Sequence, residues 1–563
     1  MAAAERYDFV IIGSGAASVC AALVMKQAGL SALIIEKQSV FGGSTALSGG
    51  VIWMPNNPLQ QEAGVTDSYE AARTYLDACA GPLSKGSSRA RRDAFLAEGP
   101  KAIVFLRKQG LKLLHAQNYS CYHETDYPGG SAGGRAIIAE IFDLNDLGSH
   151  SHEIHYSPEF PPMTMGETSW LTLFGRSWKS KRIVARVGAR MMQNRLLGRR
   201  LVGLGRALQG RLLQISLRNR LPYWLDAPVT SLLTEGDSVS GVTVRRNGGD
   251  VQVHASLGVL INSGGFTHNQ AMRDTYSPRP FAREWTVSNP GDTGEVMQMA
   301  MDLGADTENM HLLWWVPGTL PPEGGVNVHV FEHARPHAIL VDQGGERFTN
   351  EATSYVQIGL NYYARNKSVP TIPSWIVMDS RHRNQYGFAR AMPGRTPQEW
   401  FDSGFMKKAD TIPDLARLCG LPPDKLQATI NRFNDFAREG VDHDFGRGRS
   451  AYARFLGDPT HKPNPSLGTL EQAPYYAVQL WPRDVGTCGG LVTDEFARVL
   501  DNDGRVINGL YATGNATSSV HGPSYPGAGA SIGASLAFGF IAAQHAAKSR
   551  SSVTELAYAT AAR

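Results

Sequence analysis

Long apolar runs are missing from this sequence. None of its 563 residues lies in a stretch approaching the ~18 consecutive apolar residues that cross a bilayer, so an integral membrane protein is not expected. Cysteine is scarce. Cys20, Cys79, Cys121, Cys419 and Cys488 are odd in number, far apart and never in C-x-x-C spacing, which argues against a disulfide framework or a structural zinc. His268, His311, His337 and His521 stand singly, without metal-ligand spacing, and no metal site is expected. An excess of one charge is lacking too: a net charge of +4 is too small for a nucleic-acid footprint over this length. Ahead of the first apolar run there is only MAAAERYD, which leaves no room for a secretory leader, so reduced thiols and a cytoplasmic location are expected.

One absence is local. Between Thr168 and Leu225 there is no acidic residue, while Arg176, Lys179, Lys181, Arg182, Arg186, Arg190, Arg195, Arg199 and Arg200 recur among Ile, Val, Leu and Met at near-helical spacing. This basic amphipathic segment, about 168–205, has two readings of equal weight. It adsorbs to an anionic membrane surface, each basic residue adding roughly 1 kcal/mol, or it forms one or two solvated helices.

What is present is a nucleotide-binding opening. Asp8 to Ile12 is a β-branched, aromatic run, Gly13-Ser14-Gly15 follows, Ala16 to Ala28 favours helix, and Ala32 to Glu36 is apolar again. Strand, tight turn, helix, strand is a βαβ unit. Gly13 lets the chain reverse, Gly15 lets backbone approach a pyrophosphate, and the free N–H groups of the helix beginning Ala16-Ala17 welcome the anion. The third glycine of G-x-G-x-x-G is replaced by Ser18. Glu36, with Lys37 after it, ends the second strand where ribose hydroxyls are held. Gly42-Gly43-Ser44-Thr45 and Ser48-Gly49-Gly50-Val51 add small side chains and open amides, a second wall suited to a cofactor longer than NAD.

Leu257 to Ile261 before Gly264-Gly265, Gly509 to Gly514, and the Ala/Gly-rich stretch Ala530 to Ala547 read as further strands and a closing helix of the same sheet. From about Asp306 to about Pro474 the texture changes to aromatics, prolines and short mixed elements. The expected fold is therefore α/β: a Rossmann-like dinucleotide-binding domain over residues 1–305 and 475–563, with an inserted α+β substrate domain, or cap, over 306–474. The join is a usual place for substrate.

These motifs resemble the flavoproteins grouped with fumarate reductase and succinate dehydrogenase, in Gly13-Ser14-Gly15, Glu36-Lys37, Gly42-Gly43-Ser44-Thr45, Ser48-Gly49-Gly50 and Gly509-Leu510-Tyr511-Ala512-Thr513-Gly514-Asn515. The resemblance implies FAD, with Val229 near the adenine, Gly264, Gly265 and Asp292 lining the cofactor, and Gly514, Asn515 and Ile532 near the ribityl and flavin ring. Members with covalent FAD use a His near the second glycine cluster. No His lies between Glu36 and Trp53, so noncovalent FAD is expected.

The arginine of the dicarboxylate reductases is missing after Asn515. Tyr525-Pro526-Gly527-Ala528-Gly529, and Glu346-Arg347-Phe348-Thr349-Asn350-Glu351 followed by Tyr355, instead resemble the 3-ketosteroid Δ1-dehydrogenases. That branch implies removal of hydrogens from C1 and C2 of a neutral 3-ketosteroid. Tyr355 would take the C2 proton, and Tyr525 with the Gly529 N–H would hold the carbonyl. Tyr122 would lower the Tyr355 pKa by hydrogen bonding. Tyr119 and Tyr127 remain alternatives to Tyr122. Trp314 and Trp315 wall the slot or pack the core. The electron acceptor implied is a quinone or an electron-transfer protein. Rival readings are a C4–C5 desaturase, a reductase of another enone or unsaturated acid, a flavin-loaded membrane-surface carrier and an NAD-linked dehydrogenase.

Overall fold

The computed structural model describes residues 5–117, 119–157, 160–325 and 327–561, with backbone alone beyond 550. The strands Phe9–Ile12 and Ala32–Ile35 pair in parallel, Val10 beside Leu33 and Ile12 beside Ile35. On its other edge Phe9–Ile12 pairs in parallel with Val259–Ile261, which pairs in parallel with Val506–Ala512. The first three strands are short and every residue in them is buried, as befits a parallel layer covered on both faces. A three-strand antiparallel extension, Val229–Glu235, Ser238–Arg246 and Gly249–Ala255, continues this ten-stranded sheet.

Gly13, Glu36, Asn262 and Gly514 all lie just past the carboxyl ends of those four parallel strands, where open α/β sheets bind ligands. Two helices cover one face. Ala16–Gln27 packs on the closing helix Ala530–Ala561, where the Gly539 backbone seats directly on Ala17. The stretch 530–550 of the closing helix is long and apolar enough to cross a membrane, but two thirds of it (67%) is buried in the protein, as in a core helix.

A second, antiparallel sheet joins Leu313–Gly318, Tyr475–Thr487, Ser374–Met378, Ala338–Val341 and Met406–Ala409. It carries two apolar clusters of its own, one on each side. The strand that begins at the expected boundary belongs to this sheet. Tyr475–Thr487 is its central strand, and the chain regains the first sheet only at Arg498–Leu500 and Val506–Ala512. Apolar alternation alone does not say which sheet a strand enters.

The basic segment divides. Trp178–Leu197 is a surface helix, whereas Leu204–Arg218 is largely buried, Arg211 donating to the carbonyls of Glu140 and Ile141. Arg186 and Arg190 reach back to Glu167, one residue ahead of the acid-free run. All five cysteines are buried and free.

Candidate active site

A single cavity of about 630 Å³ runs from the glycine turn into the space between the two sheets. Gly13, Gly15, Glu36, Lys37, Gly43, Ser44, Thr45, Ser48, Gly49, Gly50, Val51, Val229, Gly264, Asp292, Gly514, Asn515 and Ile532 line it, as do Tyr122, Tyr355, Tyr525 and Gly529. Four expected residues do not. Ala16 and Ala17 are turned into the helix pair, Gly42 lies against Gln209, and Gly265 against Thr487. They support the wall without forming it.

The turn is held by a residue whose identity first looked like a defect. Ser18 donates to the Gly13 carbonyl at 2.7 Å and accepts from Asn262 Nδ2 at 2.7 Å. A glycine there could make neither bond. A Cβ on Gly13, which has φ +97°, would come within 2.3 Å of the Asn262 carbonyl oxygen, so the backbone must pass bare. Glu36 accepts from Ser14 N at 3.0 Å and Ser14 Oγ at 2.6 Å, tying the second strand to the same turn. No N-cap side chain closes the helix Ala16–Gln27; its Ala16 N–H reaches Thr45 Oγ1 at 3.4 Å and its Ser18 N–H the Gly15 carbonyl at 3.0 Å, and its positive end lies at Gly15 on the cavity wall, where an anionic ligand is favoured. On the far wall, burial raises the Asp292 pKa to about 7 against the opposing pull of Ser44, which donates to it at 2.9 Å. An elongated cavity with bare backbone at one end, the positive end of a helix and small residues along its length fits FAD.

The other end is aromatic. The rings of Tyr122 and Tyr355 lie 5.6 Å apart, edge to face, and Tyr525 stands 6.1 Å from Tyr122 and 5.7 Å from Tyr355. Trp314 completes the wall 4.9 Å from Tyr525, its indole N–H donating to Asn515 Oδ1 at 3.2 Å. Trp315 belongs to the core, filling the space over Gly359. The Tyr525 hydroxyl and Ser531 Oγ are 3.0 Å apart. Gly529, at φ +82°, immediately precedes the helix Ala530–Ala561, and a Cβ there would overlap the Val51 carbonyl. Burial raises the Tyr525 pKa, and the Gly529 N–H is among the groups that pull the other way.

Tyr355 opens the helix Tyr355–Arg365, and its position is buttressed from below. Arg347 grips Glu351 at 2.9 and 2.7 Å and Asp442 at 3.0 and 2.9 Å, all three buried, while Glu351 Oε1 also accepts from Leu340 N. The Glu346–Glu351 motif is thus a brace for the tyrosine and does not enter the cavity. The Tyr122 hydroxyl acts on the Tyr355 pKa in the expected downward direction but is outweighed. Burial raises it well above 10, neighbouring tyrosines add to this, and the opposing influence of the Tyr122 hydroxyl is smaller. Burial likewise raises Tyr122 and Tyr525.

Tyr119 lines the cavity beside Tyr122, whereas Tyr127 is exposed and does not. Tyr452, unremarked in the sequence, stacks 4.3 Å behind Tyr122. Phe160, Met163, Met165, Val316, Val328 and Phe331 supply apolar wall that no motif marked. No histidine lines the cavity among the described residues. His521 is buried edge-on against Trp53 and Phe95, and burial lowers its pKa to about 3. Lys37 is the one cation among the described lining residues, and Glu295 holds it at 2.8 Å.

Sheet, glycine turn and cavity together define an FAD-dependent oxidoreductase. The chain belongs to the family described as the FAD binding domain, whose model matches residues 8–532. It is 40% identical to the 3-oxosteroid 1-dehydrogenase of Mycobacterium tuberculosis, over 96% of this chain and 98% of that one. It is 33% identical to the 4-oxocyclohexanecarboxylate 2-dehydrogenase of Sinomonas cyclohexanicum, over 96% of this chain and 92% of that one. Among solved structures it is similar to the 3-ketosteroid Δ1-dehydrogenase of Sterolibacterium denitrificans in complex with 1,4-androstadiene-3,17-dione, with a TM-score of 0.91, 34% identity and coverage of 97% and 100%.

Proposed function

We propose that this chain is a 3-ketosteroid dehydrogenase that introduces the 1,2 double bond. The observation that carries the reading is the meeting of Tyr122, Tyr355, Tyr525 and Gly529 at the apolar end of the FAD cavity. Bound FAD supplies the acceptor for the hydride that leaves C1. Tyr525 and the Gly529 N–H hold the ketone oxygen as negative charge grows on it, aided by the positive end of the helix beginning at Ala530. Tyr355 takes the adjacent C2 proton, and Tyr122, edge-on to it, supports the phenolate. Trp314 and the apolar residues around Phe331 exclude water. A carboxylate-bearing cyclic ketone, the kind of substrate named for the Sinomonas relative, finds no free cation, because Lys37 is already paired with Glu295. A neutral steroid is therefore favoured.

We assign residues 306–474, extended to the end of the Tyr475–Thr487 strand, as the inserted substrate-covering domain, because that span builds the second sheet. Noncovalent FAD is the state we expect, since no His is among the described lining residues. A quinone or electron-transfer protein is the acceptor we expect for the reduced enzyme. A cytoplasmic enzyme resting peripherally on a membrane is supported by the surface helix Trp178–Leu197, which exposes Trp178, Met192, Leu196 and Leu197 among its basic residues. Phe160, Met163 and Met165, ahead of this helix in sequence, line the cavity. Anaerobic mixing with androst-4-ene-3,17-dione tests the function: bleaching of the flavin with formation of the 1,4-diene supports it, and an unchanged steroid with oxidised flavin rejects it.

A further inference from the structure

The helix Tyr69–Ala80 contributes no residue to the cavity wall among those described, yet one of its faces touches both loops that carry active-site tyrosines. Ala71, Tyr75 and Cys79 follow at four-residue spacing and so share that face. At its N-terminal end Gly129, in the loop after Tyr122, seats so closely that a Cβ would lie 2.3 Å from the Ala71 carbonyl oxygen. At its C-terminal end Gly522, ahead of Tyr525, seats on the Ala80 carbonyl oxygen in the same way, at 2.5 Å. Cys79 Sγ stands 3.2 Å from Ser524 Oγ.

Between these ends Tyr75, fully buried, joins the two loops through one oxygen. Its hydroxyl donates to the Pro526 carbonyl at 2.7 Å and accepts from the His123 N–H at 3.2 Å. Pro526 follows Tyr525 and His123 follows Tyr122. The same Pro526 carbonyl accepts from Tyr122 N at 3.0 Å, so three groups close a small ring at the base of both tyrosines. Arg135 fixes the assembly from outside, its guanidinium 5.4 Å from the Tyr75 ring centre while it holds Asp67 at 2.6 Å and the Gly129 carbonyl at 2.8 Å.

We propose that Tyr75 is a positioning residue for the dehydrogenation: its hydroxyl is the splint that sets Tyr122 and Tyr525 at their 6.1 Å separation. The proposal rests on the functional reading above. It acts on the geometry of the ketone pocket and leaves substrate affinity alone, because Tyr75 faces no part of the cavity.

The test is Tyr75→Phe in the flavin-loaded enzyme, which keeps the ring and removes the oxygen. The expected result is full flavin content, a steroid KM within about twofold of the parent and a kcat lower by about tenfold, the weight of one or two buried hydrogen bonds. Added to Tyr525→Phe, the same change is expected to cost less than about twofold more, because the separation it sets then no longer ends on the Tyr525 hydroxyl. A phenolic A-ring steroid, followed by its perturbation of the flavin spectrum, mimics the charged oxygen without turnover, and its affinity should fall by about tenfold too. Cys79→Ala, which loosens the Ser524 end alone, should lower kcat in the same direction by a smaller factor of about three. An unchanged kcat in either soluble variant, a full additional loss in the Tyr525→Phe background, or a kcat loss matched by a rise in KM and loss of flavin would overturn the proposal. If the unmodified enzyme itself leaves the steroid intact, the functional reading fails, and phenol binding still decides the role of Tyr75.

Discussion

The rings of Tyr355 and Tyr525 face one another across the cavity with centres 5.7 Å apart, one on the helix of the inserted segment and the other on the loop that precedes the closing helix. The residues proposed as proton acceptor and carbonyl holder therefore come from separate parts of the chain and meet in direct ring contact. Tyr355→Phe is expected to lower the rate of anaerobic flavin reduction by about 10²- to 10⁴-fold, the usual weight of a general base. Tyr525→Phe, which removes one of two donors, is expected to lower it by about 10²-fold. Both should purify with flavin bound. Stopped-flow absorbance checks this, and near-normal rates would reject the assigned roles.

A pH dependence follows from the burial of Tyr355. Its pKa lies well above 10, so at neutral pH the group is a phenol and only a small fraction is the basic phenolate. Raising the pH increases that fraction up to tenfold per unit, as long as the pH stays below the pKa. Flavin reduction at saturating steroid is accordingly expected to climb between about pH 6 and pH 9, and Tyr355→Phe to flatten the climb. A flat profile in the parent enzyme would remove the phenolate from the mechanism.

The brace beneath Tyr355 makes a prediction about stability. Arg347, Glu351 and Asp442 are all buried, and Arg447 stands 3.2 Å from Glu351, so removing one member strands charge in the interior. Arg347→Met should destabilise the protein by about 3–5 kcal/mol, more than any single surface ion pair would. Thermal unfolding of the holoenzyme measures it, and a loss near zero would show the network to be dispensable.

The surface helix supplies a binding prediction. Trp178 is 76% exposed and Leu196 72%, with Lys179, Lys181 and Arg182 on the same helix. Co-sedimentation with anionic vesicles is expected, weakened by salt and by Trp178→Ser with Leu196→Ser, and absent with neutral vesicles. Equal recovery in the supernatant with both vesicle types would assign the helix to solvent.

Much of this was legible in the residues. The βαβ opening, both glycine clusters and the strand before Gly514 could be placed because a parallel strand, a tight turn and a close backbone approach each demand particular residue types. Asn262, which clasps the turn through Ser18, carried no such signature, since an asparagine after a strand is common. Ala17 packs under Gly539 and Gly265 lies against Thr487, contacts that carry no signature because small residues serve helix packing and cofactor approach alike. The state of Tyr355 was beyond the sequence. Its pKa depends on how deeply the helix and the other tyrosines enclose it, a property of the assembled cavity.

The strand Tyr475–Thr487 ties these parts together. Its first half is the middle of the second sheet; its last residues reach the flavin wall, where Val485 lines the cavity and Thr487 Oγ1 donates to the Asn515 carbonyl at 3.0 Å. Such a strand is a beam with one end in each half of the molecule. Any swing of the inserted part to admit a steroid would lever directly on Asn515, which Trp314 also holds.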